Sequence, residues 1–159
     1  MAKFVKVLYD SEHKLKWDSE LVSNTWEPIK EGLKTYGYQY TQNRKVLTYE
    51  ARDYYEKVAC FYSNGAFYRM SSSVYENIDG EYVQSNVEPL RPETVRGDVY
   101  MSLGRIQRRE DQKLELTFVT CVDVQAHLPN MVLEPLLSKG TKSMYDNLVK
   151  YYTKNHKNI

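Results

Sequence analysis

The sequence lacks the features that mark several specialised classes of protein. No apolar run approaches the length of a membrane span, and the segment after Met1 lacks the apolar stretch of a secretory signal. The 22 basic residues nearly balance the 21 acidic ones, so no basic surface for nucleic acid is expected. Cysteine is scarce: Cys60 and Cys121 both lie in apolar strand patterns, which is typical of buried thiols in a reducing compartment. We therefore expect a cytoplasmic protein that does not bind nucleic acid.

Catalytic and metal-binding motifs are missing as well. The three histidines, His13, His127 and His156, are far apart, and none has a second ligand at metal-binding spacing. The sequence contains no Gly-x-Ser-x-Gly, no phosphate-binding glycine loop and no Cys-x-x-Cys. We therefore predict no catalytic residue, no metal site and no cofactor, and we expect a protein that is not an enzyme.

What the sequence does contain is a short helical start followed by a long stretch of β-forming residues. No repeat or linker divides residues 1–159, which suit a single domain. Apolar residues at helical spacing predict helices over 2–9 and 11–17, the second capped by Ser11. The Asn64-Gly65 pair predicts a tight hairpin turn. Strands are predicted over 22–29, 33–40, 52–62 and 66–75.

Two later segments, 95–108 and 113–124, alternate between apolar and polar positions. Such alternation is typical of antiparallel strands that have one covered face. The covered faces are predicted to contain Val99, Met101 and Leu103 in the first segment, and Leu114, Leu116, Phe118, Thr120 and Val122 in the second. Residues 76–94 have no clear periodicity and are predicted to form a long loop.

The C-terminal segment has the clearest helical pattern. Pro129 suits the first turn of a helix, and apolar residues then recur at helical spacing up to Tyr152. Pro135 and Gly140 interrupt this pattern and predict a bend or a soft point. The predicted fold class is α+β, with six antiparallel strands curved around one long closing helix.

Four motifs, in order along the chain, resemble those of START (steroidogenic acute regulatory protein-related lipid transfer) domains. They are Val-Leu-Tyr-Asp at 7–10 with Lys-Trp-Asp at 16–18, Ala-Arg-Asp-Tyr at 51–54, Ser-Val at 73–74 with Val-Arg-Gly at 95–97, and the run from Thr117 to Pro129 that contains Asp123. The resemblance implies a helix-grip fold, in which a curved antiparallel sheet and the C-terminal helix enclose one hydrophobic ligand.

The same resemblance exposes departures from the family pattern. Family members begin with a further helix and several strands, so the chain resembles either a fragment or an N-terminally shortened domain. An open sheet edge would result, where a homodimer is possible. Val58 stands where sterol-binding members have an arginine, which implies that their charged cavity pair is absent. Lys14 stands where phosphatidylcholine-binding members have a phosphate-binding arginine, and Ala126 replaces a common glycine.

Several charged residues have two possible roles. Lys14 would hold a phosphate at the mouth of the cavity, or it is an ordinary exposed lysine. Glu56 would be a buried carboxylate if its strand face looks inward, but we expect that face to be solvated. Arg52 and Asp53 are expected to fix the start of their strand by hydrogen bonds and an ion pair. The predicted lipid-binding residues are Lys14, Tyr54, Glu56, Val58, Met70, Val99, Met101, Leu103, Leu116, Phe118, Thr120, Leu133, Leu137, Met144 and Leu148.

The predicted function is binding of a single lipid, a phospholipid or a sterol, in an internal hydrophobic cavity. The lipid would be transferred or sensed inside the cell, with transient contact to a membrane surface, and residues 76–94 and Gly140 would form the gate. The alternative is a regulatory or scaffold module with a vestigial cavity that acts through protein contacts. An enzyme on this fold ranks last, because only Glu56 and the tyrosines could serve as acid or base.

Overall fold

A computed structural model of the chain describes residues 1–30, 34–45, 50–85, 94–125 and 129–157, with three helices and nine strands in those ranges. The helices are α1 (Ala2–Tyr9), α2 (Ser11–Trp17) and α3 (Asn130–Asn155). The strands are β1 (Leu21–Lys30), β2 (Lys34–Asn43), β3 (Ala51–Ser63), β4 (Ala66–Ser73), β5 (Tyr75–Ile78), β6 (Glu81–Gln84), β7 (Thr94–Arg96), β8 (Asp98–Arg108) and β9 (Leu114–Asp123).

Seven strands form one sheet, and this sheet with the long α3 confirms the predicted α+β helix-grip class. The strand order is β1-β2-β3-β4-β8-β9, all antiparallel neighbours, and β7 pairs in parallel with the start of β3. The predicted β3–β4 turn is confirmed: Asn64 and Gly65 have φ of 48° and 72°, the two positive values that a type I′ turn requires. The sequence predicts a hairpin turn at Lys30-Glu31-Gly32, between β1 and β2, and all of it after Lys30 lies outside the described residues.

The prediction of a long loop over 76–94 is wrong for its first part. Residues Tyr75–Ile78 and Glu81–Gln84 form a separate two-stranded hairpin, β5–β6. Asp79 and Gly80 at its turn have φ of 54° and 90°, and this Asp-Gly pair is a hairpin signal that the periodicity alone does not show. Residues 86–93 of the predicted loop lie outside the described residues.

Two boundaries also differ from prediction. The segment 95–108 contains two strands, β7 and β8, because the backbone N–H of Gly97 bonds to the carbonyl of Asp53 and separates them. Asp10, not Ser11, is the N-cap of α2, since its carboxylate accepts a hydrogen bond of 3.2 Å from the backbone N–H of His13.

The three helices pack on one face of the sheet, which we call the inner face; the opposite one is the outer face. The core between them contains Phe4, Val7, Leu8, Trp17, Phe67, Ile106 and Leu148. Trp17 also donates a hydrogen bond of 2.8 Å from its indole N–H to the carbonyl of Val7, which joins α2 to α1. Each fully buried aliphatic side chain of this core contributes about 1.5–3 kcal/mol.

Among the side chains of α3 that the structure describes, those of the second half belong to this core. Leu148 is buried, Met144 packs against the core, and Tyr152 meets the Phe4 ring edge-on with centroids 5.1 Å apart. The first half is different, because Met131 and Leu137 are exposed. The helix continues through both Pro135 and Gly140, so the predicted bend stays a prediction. No described helix is long and apolar enough to cross a membrane.

A buried ion pair fixes β7 to the start of β3, as predicted for Asp53. The Arg96 guanidinium bonds to both carboxylate oxygens of Asp53 at 3.0 and 3.2 Å, and Asp53 is completely buried. The Tyr40 hydroxyl donates a further bond of 3.0 Å to the same carboxylate. Arg52 donates to the carbonyls of Val124 and Gln125, which ties the end of β9 to β3.

Candidate functional site

A set of polar and charged side chains lies on the inner face near α2, which contacts β1. Strand register places Glu56 on β3 beside Gln39 on β2, and the β4 residues Arg69 and Ser71 on the same face. Lys14 reaches this set from α2 and lies close enough to Glu56 and Arg69 for both charges to shift its pKa. We call Lys14, Glu56 and Arg69 the inner charged cluster.

Arg69 is held in place by neutral partners. Its guanidinium, which is 8% exposed, donates to the Ser71 hydroxyl at 3.0 Å and to the Gln39 side-chain oxygen. The amide of Gln39 donates in turn to Asn24, and Asn24 donates at 2.9 Å to the Ser11 hydroxyl at the start of α2. This chain of bonds links three strands to α2, so the orientation of the guanidinium depends on the whole inner face.

Tyr9 covers the other side of Arg69. Its ring centroid lies 5.3 Å from the guanidinium carbon, a cation–π distance. The close approach of this ring needs Gly104, where an added Cβ would stand 2.2 Å from the Tyr9 hydroxyl oxygen. That oxygen is buried and has no hydrogen-bond partner within the described ranges. Burial raises the pKa of Tyr9 to about 12 against the opposing charge of Arg69, so the hydroxyl remains a donor.

The two cations of the cluster have no close anionic partner. In the described part of the chain, no ion pair joins Lys14 or Arg69 to a carboxylate. Burial, and after it the charge of Arg69, lowers the pKa of Lys14, while Asp18 and Glu56 act in the opposite direction. Lys14 is therefore a desolvated ammonium group that lies near one cation, Arg69, and two carboxylates, Asp18 and Glu56.

The expectation that Glu56 is solvated is wrong. Glu56 is buried on the inner face, where Lys14 of α2 lies near it. Sequence reasoning also missed Arg69. The missing arginine at Val58 implied that no charged pair would be present, yet β4 brings Arg69 to the inner face one strand away from Glu56.

Most of the strand residues that the sequence predicts to contact the lipid, which we call the apolar wall, lie on the inner face. Val58 and Val99 are buried, Leu116 packs against the core, and Phe118 lies beside Gly104 on the same face. Register places Thr120 opposite Ser102, also on this face. The Tyr54 ring is packed against Gly97, and burial raises its pKa to about 12, so this side chain is part of the wall.

Three predicted wall residues lie on the wrong face. Met70 pairs with Leu103, and Met101 pairs with Cys121, all on the outer face. For Met101 and Leu103 the reason is a β-bulge between Val99 and Met101, where Tyr100 is the extra residue. One extra residue reverses the alternation, so Val99 looks inward while Met101 and Leu103 look outward.

Of the four α3 residues that the sequence predicts to contact the lipid, only two pack on the core. Leu148 and Met144 pack on the core, Leu133 is half-buried, and Leu137 remains 50% exposed. Phe118 on β9 is 46% exposed. Apolar surface on the first half of α3 and on β9 is therefore open to solvent.

A concavity lies on the outer face. This groove has a volume of about 540 Å³ and is lined mainly by Tyr36, Tyr38, Lys57, Met70, Tyr100 and Met101. Three of the 15 tyrosines of the chain line this groove. It is separated from the inner charged cluster by the sheet itself, so the two cannot form one site.

The START domain family model matches residues 1–158. The chain belongs to the START domain family. This confirms the resemblance seen in the four sequence motifs. No curated protein matches the chain in sequence.

Solved structures of START proteins share the fold of this START domain. Human STARD10 superposes with a TM-score of 0.74 at 21% identity, covering 98% of this chain and 61% of that one. Human StAR-related lipid transfer protein 5 gives 0.76 at 17% identity, with 96% and 71% covered. A fragment of a STAR-related lipid transfer protein from Xanthomonas axonopodis gives 0.61 at 15% identity, with 92% and 76% covered. The chain thus spans less than two thirds of the STARD10 chain.

Proposed function

We propose that this START domain binds a single lipid on its inner face and that the lipid carries a phosphate group. The observation that carries the proposal is the inner charged cluster, in which Arg69 has only neutral hydrogen-bond partners and Lys14 is desolvated near it, with Glu56 and Asp18 in the surroundings. In the described part of the chain neither cation has a carboxylate at ion-pair distance, and a desolvated charge without a close counter-charge is costly. A phosphate would supply the missing charge.

The hydrogen-bond geometry around Arg69 supports an anionic head group. The Gln39 and Ser71 contacts take up two of its nitrogen atoms and orient the planar group, while the Tyr9 hydroxyl supplies a free donor beside it. Charge-assisted hydrogen bonds to phosphate are about twice as strong as neutral ones. A sterol hydroxyl would leave both cations unpaired, so the cluster favours a phospholipid over a sterol.

The apolar part of the lipid would lie between the sheet and the first half of α3. Phe118 and Leu137 are about half exposed there, and Leu116 and Leu133 are partly buried. An acyl chain that covers such side chains gains roughly 25 cal/mol for each Å² removed from water. Binding would therefore complete the roof that the protein alone leaves open.

Exchange of the lipid needs a movable element and a transient contact with a membrane surface. The first half of α3 is the element we propose, because its apolar side chains Met131, Val132 and Leu137 are exposed. Gly140 separates this half from the anchored second half and is exposed. We propose a transfer or sensing role without catalysis, in which opening at Gly140 admits the lipid.

The proposal is tested by identifying the bound lipid and then removing the cations. Protein purified from cells is examined by native mass spectrometry, and phospholipid and sterol transfer are measured between vesicles. Arg69→Met and Lys14→Met should each lower phospholipid binding by about tenfold or more, the cost of one charge-assisted contact. Sterol binding should be unaffected.

Arg105→Met is the matched control, because Arg105 lies on β8 next to Arg69 in the sheet but on the outer face. Circular dichroism of each variant separates a lost contact from a lost fold. Unchanged phospholipid binding in both cluster variants would contradict the head-group assignment. A protein that carries no lipid and transfers none would favour the regulatory or scaffold alternative.

A further inference from the structure

A line of polar side chains joins Arg69 to the start of α2, and three of its members are buried on the inner face: Gln39, Asn24 and Thr41. Asn24 on β1 lies directly opposite Thr41 on β2. A buried polar group is costly unless it is hydrogen-bonded, so a line of this kind is stable only when every bond in it is made. We call Gln39, Asn24 and Ser11 the polar link.

The donor chemistry of Arg69 sets the direction of every bond in the polar link. A guanidinium group only donates, so Gln39 must turn its side-chain oxygen towards Arg69. The amide nitrogen of Gln39 therefore donates to the oxygen of Asn24, and the Thr41 hydroxyl donates to the same oxygen at 3.1 Å. The nitrogen of Asn24 then donates to the Ser11 hydroxyl at 2.9 Å. A reversed Asn24 amide would bring two donors together, so one orientation alone satisfies the network.

The far end of the polar link lies on the helix that carries the second cation. Ser11 and Lys14 are three residues apart in α2, which places them on the same side of the helix. The end of α2 is anchored by Trp17 in the core, and the bond from Asn24 to Ser11 ties its start to β1. The position of Lys14 relative to the sheet therefore depends on Asn24.

We propose that Asn24 is a positioning residue for the lipid head group, an inference that rests on the proposed function. Asn24 holds Arg69 in place through Gln39. Through Ser11 it holds the helix that carries Lys14, so one buried amide sets the spacing of the two cations without touching the lipid. Groups that bind a ligand together must be held within about 0.5 Å of the productive geometry, which requires such support.

Loss of Asn24 would release both cations. Asn24→Leu keeps a side chain of similar size but leaves the Gln39 nitrogen buried without its acceptor. Gln39 is then no longer fixed in the orientation that holds Arg69, because its amide can turn to find another partner. The start of α2 loses its bond to β1 at the same time.

Two lipids with the same acyl chains test this role. Dioctanoyl phosphatidic acid and dioctanoylglycerol differ only in the phosphate group, and their dissociation constants are measured for each variant. Asn24→Leu should weaken binding of phosphatidic acid by about tenfold or more and change binding of dioctanoylglycerol by less than about twofold. A merely structural role would weaken the binding of both lipids together, and that result would overturn the proposal.

Thr41→Val is the matched control, since Thr41 donates to the same Asn24 oxygen but lies outside the polar link. The variant removes one buried hydrogen bond while the bonds from Arg69 to Ser11 stay complete. Its affinity for phosphatidic acid should change by less than about twofold. Urea denaturation gives the stability of both variants. A loss of affinity in Thr41→Val as large as that in Asn24→Leu would contradict a role for the polar link.

Double variants show which cation the far end of the polar link acts on. Ser11→Ala removes only the bond to α2, and Asp10 remains as the N-cap of that helix. It should weaken phosphatidic acid binding severalfold in the otherwise unchanged chain and in Arg69→Met, but not in Lys14→Met. An equal effect of Ser11→Ala in the Lys14→Met background would show that the bond does not act through Lys14, and would overturn that part of the proposal.

The outcomes separate this proposal from the proposed function. If Arg69→Met and Lys14→Met weaken phosphatidic acid binding while Asn24→Leu does not, only the positioning role of Asn24 is wrong. If neither cation variant changes that binding, the head-group assignment is wrong, and the positioning role is overturned with it.

Discussion

Lys14 is the residue in which stability and function are most directly opposed. Its ammonium group is desolvated and lies near a second cation, Arg69, so the folded protein without a ligand holds it at a cost. An exposed lysine would carry no such cost. The arrangement is reasonable if an anion binds there, because the same two charges that destabilise the empty site attract a phosphate.

The lowered pKa of Lys14 predicts how lipid affinity depends on pH. Below its folded-state pKa the ammonium group of Lys14 is charged, and the cost of its desolvation lowers the free energy of unfolding in full. As the pH rises through that pKa towards the unfolded value of about 10.4, the unfolded state binds more protons, so the free energy of unfolding rises. The affinity for a phosphate-bearing lipid should fall over the same pH window, because Lys14 loses the positive charge that would contact the phosphate.

This dependence is measured as the dissociation constant of a short-chain phospholipid between about pH 7 and 10. Tyr9 does not titrate there, since burial raises its pKa to about 12. The Lys14→Met variant is the control and should bind weakly at every pH, with a flatter profile. Parallel profiles for the two proteins would show that Lys14 does not contact the head group.

At the scale of elements, the sequence predicts the strands well and the faces less well. Hydrophobic alternation located β8 and β9, and Asn64-Gly65 located the β3–β4 turn. The bulge at Tyr100 then reversed the face of Met101. Alternation cannot reveal a bulge, because the extra residue is set by the partner strand rather than by the residues of the strand itself.

Arg69 was missed for a related reason. β4 contains Ser71-Ser72-Ser73 and lacks the apolar alternation that would assign its faces from sequence. Its inner face is defined only by pairing with β3 and β8, which places Arg69 beside Cys60 and Gly104. The local sequence pattern therefore located β4, whereas its pairing with β3 and β8 determines which of its side chains lie on the inner face.

The contact of β7 with β3 depends on the Asp53–Arg96 pair, and its loss has a predictable effect. Asp53→Asn would leave the Arg96 guanidinium buried without its counter-charge, which should lower the free energy of unfolding by about 3–5 kcal/mol. Glu50→Gln removes one partner of the exposed Lys45–Glu50 pair and should cost less than about 1 kcal/mol. Urea denaturation measures both, and equal effects would contradict the structural role of the buried pair.

At the scale of the whole molecule, stability is unevenly distributed. The core joins α1, α2 and the second half of α3 to the sheet around Phe67 and Ile106. Leu137 in the first half of α3 and Phe118 on β9 leave apolar surface uncovered outside this core. A molecule built in this way can open on one side without losing its core.

This uneven distribution predicts an amide-exchange pattern that a lipid should change. In the empty protein, amides before Gly140 in α3 should exchange faster than those around Leu148, because local opening exposes little buried surface there. Binding of a phospholipid covers Leu137 and should slow exchange in the first half by tenfold or more, while the second half changes little. Hydrogen–deuterium exchange with mass spectrometry, with and without lipid, measures both halves, and the Arg69→Met variant serves as the control that binds poorly. Equal protection of the two halves in the empty protein, or protection by lipid confined to the second half, would show that the first half of α3 is not the element that closes over the ligand.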